Sequence, residues 1–287
     1  MASKTHRHLA VREIQRRAKN IKDISKAIVD AVKNNNLYFL ACLLNHVPGV
    51  TLEHVCAQDS YAIRWAALKK RKECLDLLLG FPGVTVEHVC ADDSIAIRWA
   101  AGDGDKECLE LLLGFTGVAL EHVCAQDSYA IQSAAENGHK ECLDLLLGFP
   151  GITVEHVCAQ DSYAIRSVSA MGRKECLEIL LGFPGVTVEH VCARNSYAIR
   201  WAAGDGYKEC LELLLGFPGV TLEHVCAHNS YAIRLAADRG RKECLELLLG
   251  FTGVTVEHVC AIDSVAIRLA ALNGHKECLE LLLAFTR

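Results

Sequence analysis

The sequence predicts an all-α solenoid, on three observations. First, two cysteine ladders step by 34 residues without a slip. The Cys of His-Val-Cys recurs at Cys56, Cys90, Cys124, Cys158, Cys192, Cys226 and Cys260, and that of Lys-Glu-Cys at Cys74, Cys108, Cys142, Cys176, Cys210, Cys244 and Cys278. A fixed period of this size means units that bury their apolar faces only against neighbours. Second, each unit holds two apolar runs of helical type, Ala-Ile-Arg-Trp-Ala-Ala and Lys-Glu-Cys-Leu-Glu-Leu-Leu-Leu. Third, glycines punctuate those runs at constant places, so every unit breaks at the same points.

In chain order, residues 5–24 come first. Leu9, Ala10, Ile14, Ala18, Ile21 and Ile24 fall at mixed spacings of three and four, which predicts an amphipathic helix. Residues 1–26 hold eight Lys or Arg and two acids, and form the expected basic N-terminal segment. That helix is read as a cap on the first repeat, with a membrane-surface helix and an Arg-rich targeting peptide as alternatives. Residues 27–287 are the expected solenoid, one degenerate unit followed by seven full ones. The degenerate unit, 27–49, is rich in asparagine (Asn34, Asn35, Asn36, Asn45), as suits a terminal repeat with a polar outer face.

Each full unit then parses in three pieces. Asp59-Ser60 is expected to cap a first short helix over 61–67, whose Ala66 and Ala67 keep one face thin. Gly104, Gly138, Gly172, Gly206, Gly240 and Gly274 are expected to end the first helices in a left-handed turn. Lys70 takes that place in the first full unit, at an expected cost of about 1 kcal/mol. The second helix, such as 106–113, is too apolar for an exposed helix and is expected to pack on more than one side. Gly114 and Phe115 are read as its Schellman end. The third piece is a connector. It is either a short helix over 86–91, capped by Thr85, or an extended segment. Ala119 lacks the capping hydroxyl, so its unit is expected to fray.

Composition narrows the function. The chain is 51% apolar but only 6% aromatic, so aliphatic residues, alanine and cysteine must build the core. The fifteen cysteines lie in apolar helix patterns, where a free thiol acts as a small hydrophobe. They are expected to be free, as in a reducing cytoplasmic setting. No apolar run approaches the roughly 18 residues of a membrane span. The formal net charge is −5 while residues 1–26 carry +6, so the remainder carries −11. An acidic body does not suit a dedicated nucleic-acid binder, which lives on phosphate neutralisation.

The residues also carry a family likeness. Ala-Ala-x-x-Gly-His at Ala134–His139 and Ala270–His275, followed by the leucine run, resembles the paired helices of ankyrin repeats. Ala-Ile-Arg stands where that family has Pro-Leu-His, and a longer Gly-Val-Thr-Val-Glu-His-Val-Cys segment replaces its hairpin. The likeness runs over residues 27–287. It implies a solenoid of stacked ankyrin-like helix pairs without projecting hairpins, and a role in protein–protein recognition without catalysis. The tetratricopeptide repeat shares the period, but the break at Gly80–Gly83 leaves too little room for its two long helices.

No constellation for chemistry stands out. The repeated Glu-His-Val-Cys invites a metal or a nucleophile reading. On a helix residues two apart point some 200° apart, so His54 and Cys56 could not share an ion. On a strand they could, but every unit would then need its own site with ligands from its neighbours. The expected arrangement is a solvent-edge His beside a buried Cys. The Arg64, Arg98, Arg166, Arg200, Arg234 and Arg268 ladder, broken by Gln132, is read as an interlock between units, or else as a reader of an anionic partner. No catalytic residue, metal ligand or cofactor is assigned. The expectation is a non-enzymatic scaffold that binds another protein through the concave face. A structural or self-assembling repeat protein is the alternative, with self-association through the last helix, where Leu281 and Leu282 are expected to be unshielded.

Copy-to-copy variation places the candidate surface. The framework hardly changes, whereas the start, middle and end of the first helix do. The start contributes Gln58, Asp92, Gln126, Gln160, Arg194 and His228, and the middle Trp65, Trp99 and Trp201. The end contributes Leu68, Lys69, Asp103, Glu136, Asn137, Met171, Asp205, Asp238, Arg239 and Asn273. The tryptophans are the natural anchors, since buried Trp dominates binding hot spots.

Overall fold

The computed structural model describes residues 23–287. The helix expected over residues 5–24 falls almost wholly outside them. Among the described residues every regular element is a helix. The described chain opens with Ile24–Lys33, whose N-terminal cap is Asp23; its carboxylate accepts from the Lys26 N–H at 2.9 Å. Leu37–His46 completes the degenerate unit, with Leu40, Cys42 and Leu43 buried.

The chain forms two compact units, Met1–Ala130 with Gly148–Pro150, and Ile131–Leu147 with Gly151–Arg287. In the first, the first helices Ile24–Lys33, Ala57–Leu68 and Ala91–Gly102 pack in succession, and behind them Leu37–His46, Lys72–Leu79 and Lys106–Leu113. In the second, Ala159–Ala170, Ala193–Asp205, Ala227–Asp238 and Ala261–Leu272 stack, backed by Lys140–Leu147, Lys174–Leu181, Lys208–Leu215, Lys242–Leu249 and Lys276–Phe285. The helix pairs therefore stack as expected. Interior units bury the same set: the Ala-Ile pair of the first helix and, in all but the fourth full unit, its Ala-Ala pair, the Cys and two Leu of the second, and the Val of the connector. The fourth full unit has Ser167-Val168-Ser169 instead of Trp-Ala-Ala. It seats Val168 fully buried and returns both hydroxyls to its own helix, Ser169 to the Ile165 carbonyl at 2.7 Å and Ser167 to that of Ala164 at 3.1 Å.

The connector is a helix, shorter than expected: Val86–Val89, with the cap at Thr85. The Thr85 N–H donates to Nδ1 of His88 at 3.1 Å, so a histidine takes the place that Glu or Gln holds in the usual capping box. The same bond recurs at Thr51, Thr153, Thr187, Thr221 and Thr255. Ala119 keeps it too, its N–H donating to His122 Nδ1 at 3.0 Å. Its connector is therefore a formed helix, Leu120–Val123, and the expected fraying loses its basis.

The start of the first helix corrects the reading of Asp59-Ser60 as a cap. Gln58, Asp59 and Ser60 have φ of +54, +53 and +59°, a left-handed turn inside an otherwise right-handed helix. The Ser60 N–H closes it on the Cys56 carbonyl at 3.0 Å, and Ser60 is buried. Every full unit repeats this turn. Left-handed backbone costs about 1–2 kcal/mol per ordinary residue, which Asp and Asn at the second position reduce.

The ends of the second helix are corrected as well. Gly114 has φ −79° and is right-handed, so it makes no Schellman end. The positive φ falls on Gly117, at +95°. The Val118 N–H donates to the Phe115 carbonyl at 3.1 Å, so Phe115–Val118 is a β-turn with glycine at its third position. Glycine serves twice there, since an added Cβ would also come within 3.2 Å of Val86 in the preceding unit.

Gly104 and its counterparts are left-handed as expected, and Lys70 adopts φ +55° in their place. Its ammonium donates to the Asp103 carbonyl at 2.6 Å, an exposed bond worth little. Lys70→Gly should therefore stabilise the protein by about 0.5–1 kcal/mol, read as a higher urea midpoint at unchanged slope. A lower midpoint would show that the lysine contact outweighs the strain.

Candidate functional site

On each first helix, positions four apart share a face. In the first full unit that face carries Tyr61, Trp65 and Lys69, with Arg64 beside them. Tyr61 and Trp65 stack at 5.6 Å between ring centroids. Lys69 Nζ lies 5.2 Å from the Trp65 ring, and Lys33 Nζ 5.1 Å from the same ring and 5.3 Å from Tyr61. In the fifth full unit Tyr197 and Trp201 approach at 5.8 Å, and the Arg239 guanidinium lies 5.0 Å over Trp201 while pairing with the Asp205 carboxylate.

The arginine ladder holds the fold. Arg98 donates from Nε to the Asp93 carbonyl at 3.0 Å and from Nη2 to that of Asp92 at 3.1 Å, which clamps its own left-handed turn. Arg166 and Arg234 make the same two bonds. The guanidinium also reaches forward: Arg64 pairs with Asp92 at 2.8 Å, and Arg98 donates to Gln126 Oε1 at 2.9 Å. Tyrosines complete the arrangement. In the second compact unit Arg166 lies 5.6 Å from Tyr163 and 5.3 Å from Tyr197, and Arg200 5.8 Å from Tyr197 and 5.4 Å from Tyr231. Arg234 follows at 5.0 Å from Tyr231. Rings and cations thus alternate through three successive units, each contact worth about 0.5–2 kcal/mol. Of the two readings of this ladder, the interlock is the one the contacts support. In the third full unit the position is a buried Gln132, and the turn keeps its left-handed φ values.

The candidate residues occupy opposite ends of the first helix. Gln58, Asp92, Gln126, Gln160, Arg194 and His228 are exposed on the left-handed turn. Several also bind sideways: Gln126 donates to Asp93 Oδ2 at 2.9 Å, and Arg194 pairs with Asp161 at 2.8 Å. At the other end Lys69, Asp103, Asn137, Met171 and Asn273 are exposed, whereas Leu68, Glu136, Asp205, Asp238 and Arg239 are half-buried. Asn273 donates to Asp238 at 2.8 Å, and the Glu136 carbonyl accepts from Arg173 Nε at 3.3 Å. Trp65, Trp99 and Trp201 are half-buried, and Trp65 and Trp201 carry the cations of the end group. On each first helix start and end are therefore separate groups, and the tryptophans belong with the second. The sequence reading missed the tyrosines, although Tyr stands three residues before Arg in Tyr-Ala-Ile-Arg, and the capping histidines, although His stands three after Thr.

All fifteen cysteines are free. The Lys-Glu-Cys column is buried and the His-Val-Cys column half-buried. Burial pushes the thiols of Cys176, Cys210 and Cys244 up to about 11, helped by nearby glutamates, and raises Cys108 further with Asp105 beside it. Thiolate, the reactive form, is thus scarce at neutral pH. Native protein should react with a thiol reagent first at the His-Val-Cys column. The Lys-Glu-Cys column, buried and with its thiols held protonated, should wait for unfolding. Mass spectrometry of partly labelled protein reads this directly, and equal labelling of both columns at pH 7 would contradict it. Among the described residues no group of three His, Cys, Asp or Glu has metal-holding geometry, and no helix is long and apolar enough to cross a membrane.

Residues 63–161 match the family of ankyrin repeats (3 copies). The human ASB11 ankyrin repeat domain is similar in structure, with TM-score 0.60 and 23% identity, over 76% of this chain and 96% of that domain. EF0377, an ankyrin repeat protein, aligns with TM-score 0.52 and 17% identity, over 67% of this chain and 97% of that one. At such identities the likeness speaks for the fold alone. No curated protein matches the sequence. Residues 63–161 thus match ankyrin repeats, and the stacked helix pairs of the described chain have the fold of ankyrin-repeat domains.

Proposed function

We propose that the chain is a non-enzymatic scaffold that takes a partner protein on the face of its first helices, at the strip formed by their ends and the tryptophans. Ankyrin repeats are in general protein–protein interaction modules, which supplies the class. One observation carries the choice of face. Copies that share an almost invariant buried framework differ at exposed or half-buried ends such as Lys69, Asp103, Asn137, Met171 and Arg239. Variation gathered on the first helices of a constant frame is what a surface tuned to a partner requires. The start strip is the weaker part of the site, because Gln126 and Arg194 already tie neighbouring units. In the same reading, the basic N-terminal segment precedes a solenoid of one degenerate and seven full units.

The test uses a photo-crosslinking residue at Met171 on the end strip and, in a second protein, at Glu212 on a second helix. Both side chains are exposed. The reading expects a partner protein to crosslink at Met171 and not at Glu212. Crosslinking at Glu212 alone would put recognition on the opposite side and overturn it.

Self-association is the second reading, and the last unit favours it. Leu282 is fully buried, contrary to expectation, but Leu272 is 81% exposed. Ala271 is exposed where Ala67 is buried. This bare stacking surface lies on Ala261–Leu272, so pairing would use the last first helix rather than the C-terminal one. Sedimentation should then show a concentration-dependent mass that Leu272→Lys abolishes.

A further inference from the structure

We propose that Trp65, set between Lys33 and Lys69, docks an extended acidic segment of a partner protein. The three tryptophans stand at one repeat position, yet their charge settings differ. Trp201 has one cation over its ring, Arg239, already neutralised by Asp205. Trp99 lies one turn before Asp103, an acid. Trp65 has two exposed ammonium groups over its ring, at 5.1 and 5.2 Å, and among the described residues neither forms an ion pair. Each ammonium lies about 5 Å from the same ring, so they are no further apart than twice that. Carboxylates two or three residues apart on an extended chain, which advances about 3.3 Å per residue, span such a gap.

The surroundings fit such an occupant. A cleft of about 410 Å³ opens along the same edge, lined by Asp23, Lys26, Asp30, Lys33, Gln58 and Tyr61. The Asp23 carboxylate there is engaged in capping its own helix, and Asp30 lines the cleft beside Lys26 and Lys33, so the cleft supplies room while Lys33 and Lys69 supply the charge. The whole chain is acidic at −5, whereas Lys33 and Lys69 set two cations over the Trp65 ring. An acidic partner is thus drawn to this pair and repelled by the acidic surface elsewhere, which favours a single register. The half-buried Trp65 and Tyr61 rings give the apolar contact that charge alone lacks. Protein is favoured over nucleic acid because one flat indole flanked by two ammonium groups offers neither a run of stacking platforms nor a long basic groove.

The proposal deepens the binding face proposed above at Trp65 and Lys69, and rests on that reading for its class of partner. The assay below reads the first unit, and crosslinking at Met171 reads the fourth, so either can fail alone. The protein carries Trp99→Phe and Trp201→Phe, leaving Trp65 as the fluorophore, and melting curves confirm its fold. The probe is a ten-residue peptide alternating Glu with Gly, against its Lys-for-Glu counterpart. The acidic peptide should change the emission saturably, and added salt should weaken it. Lys33→Glu with Lys69→Glu should weaken binding by roughly tenfold or more. Lys33→Gln with Lys69→Gln should weaken it less, and Lys276→Glu, at the far end of the chain, should leave it unchanged. Absence of saturable binding, equal binding of the Lys peptide, or insensitivity to the double substitutions would overturn the proposal. So would tighter binding of a ten-nucleotide single strand or of anionic lipid vesicles in the same assay.

Discussion

Arg200→Ala should destabilise the protein by about 2–4 kcal/mol. The guanidinium lies between Tyr197 and Tyr231, and its Nη2 donates to the Arg194 carbonyl of the left-handed turn at 2.9 Å. Two half-buried cation–ring contacts contribute about 0.5–2 kcal/mol each, and a charged hydrogen bond about 1.5–3. The sum is trimmed because the vacated groups regain water. Arg268 supplies the control. It is exposed, and Val265 replaces the tyrosine three residues before it. Arg268→Ala should therefore stay within about 0.5 kcal/mol of the parent. Urea denaturation of both variants decides the matter: equal losses, or a loss under 0.5 kcal/mol for Arg200→Ala, would remove the stack from the account of stability. Hydrogen exchange adds a local reading. Removing Arg200 should speed exchange in the units holding Tyr197 and Tyr231 before it does so elsewhere, because each unit leans only on its neighbours.

Such a stack shows where sequence reading stops. The period of 34 fixes which residues recur, and with helical patterning it predicts helix pairs, glycine stops and a buried cysteine column. Those depend on order along one chain. That Arg166 lies between Tyr163 and Tyr197 depends on the lateral offset between units, which no spacing in the sequence states. The turn at Gln58–Ser60 failed for another reason. Asp-Ser before an apolar run is the usual mark of a helix cap, and the same side chains also tolerate left-handed backbone. Gly114 was misplaced because two glycines flank Phe115, and the β-turn assigns positive φ to the second, Gly117. On the candidate face, variation at Asp205 and Arg239 was legible, but their pairing with each other was not.

Gly172→Ala is the second large effect, about 2–4 kcal/mol of destabilisation. Gly172 has φ +66°, and an added Cβ would stand 2.3 Å from Cδ1 and 2.5 Å from Cε1 of Tyr207 in the next unit. The ring must move, and overpacking of that kind costs about 1–3 kcal/mol beyond the roughly 1 kcal/mol of left-handed strain. Gly274 separates the two terms. Its φ is +72°, with nothing within 4 Å of an added Cβ, so Gly274→Ala should cost only the strain. The two thermal unfolding curves should differ by the ring contact alone. If they coincide, Tyr207 yields without cost and the close approach does not discriminate among side chains. Tyr207→Ala in the Gly172→Ala background should recover much of the difference, a coupling that independent sites would not give.

The left-handed turn also has an optical consequence. Three residues in every full unit wind opposite to the rest of the helix that contains them. Peptide groups of opposite hand rotate polarised light with opposite sign. The far-ultraviolet ellipticity of the folded protein should therefore fall short of what its helical residues would give if all shared one hand. The deficit grows by the same step with each repeat in the chain.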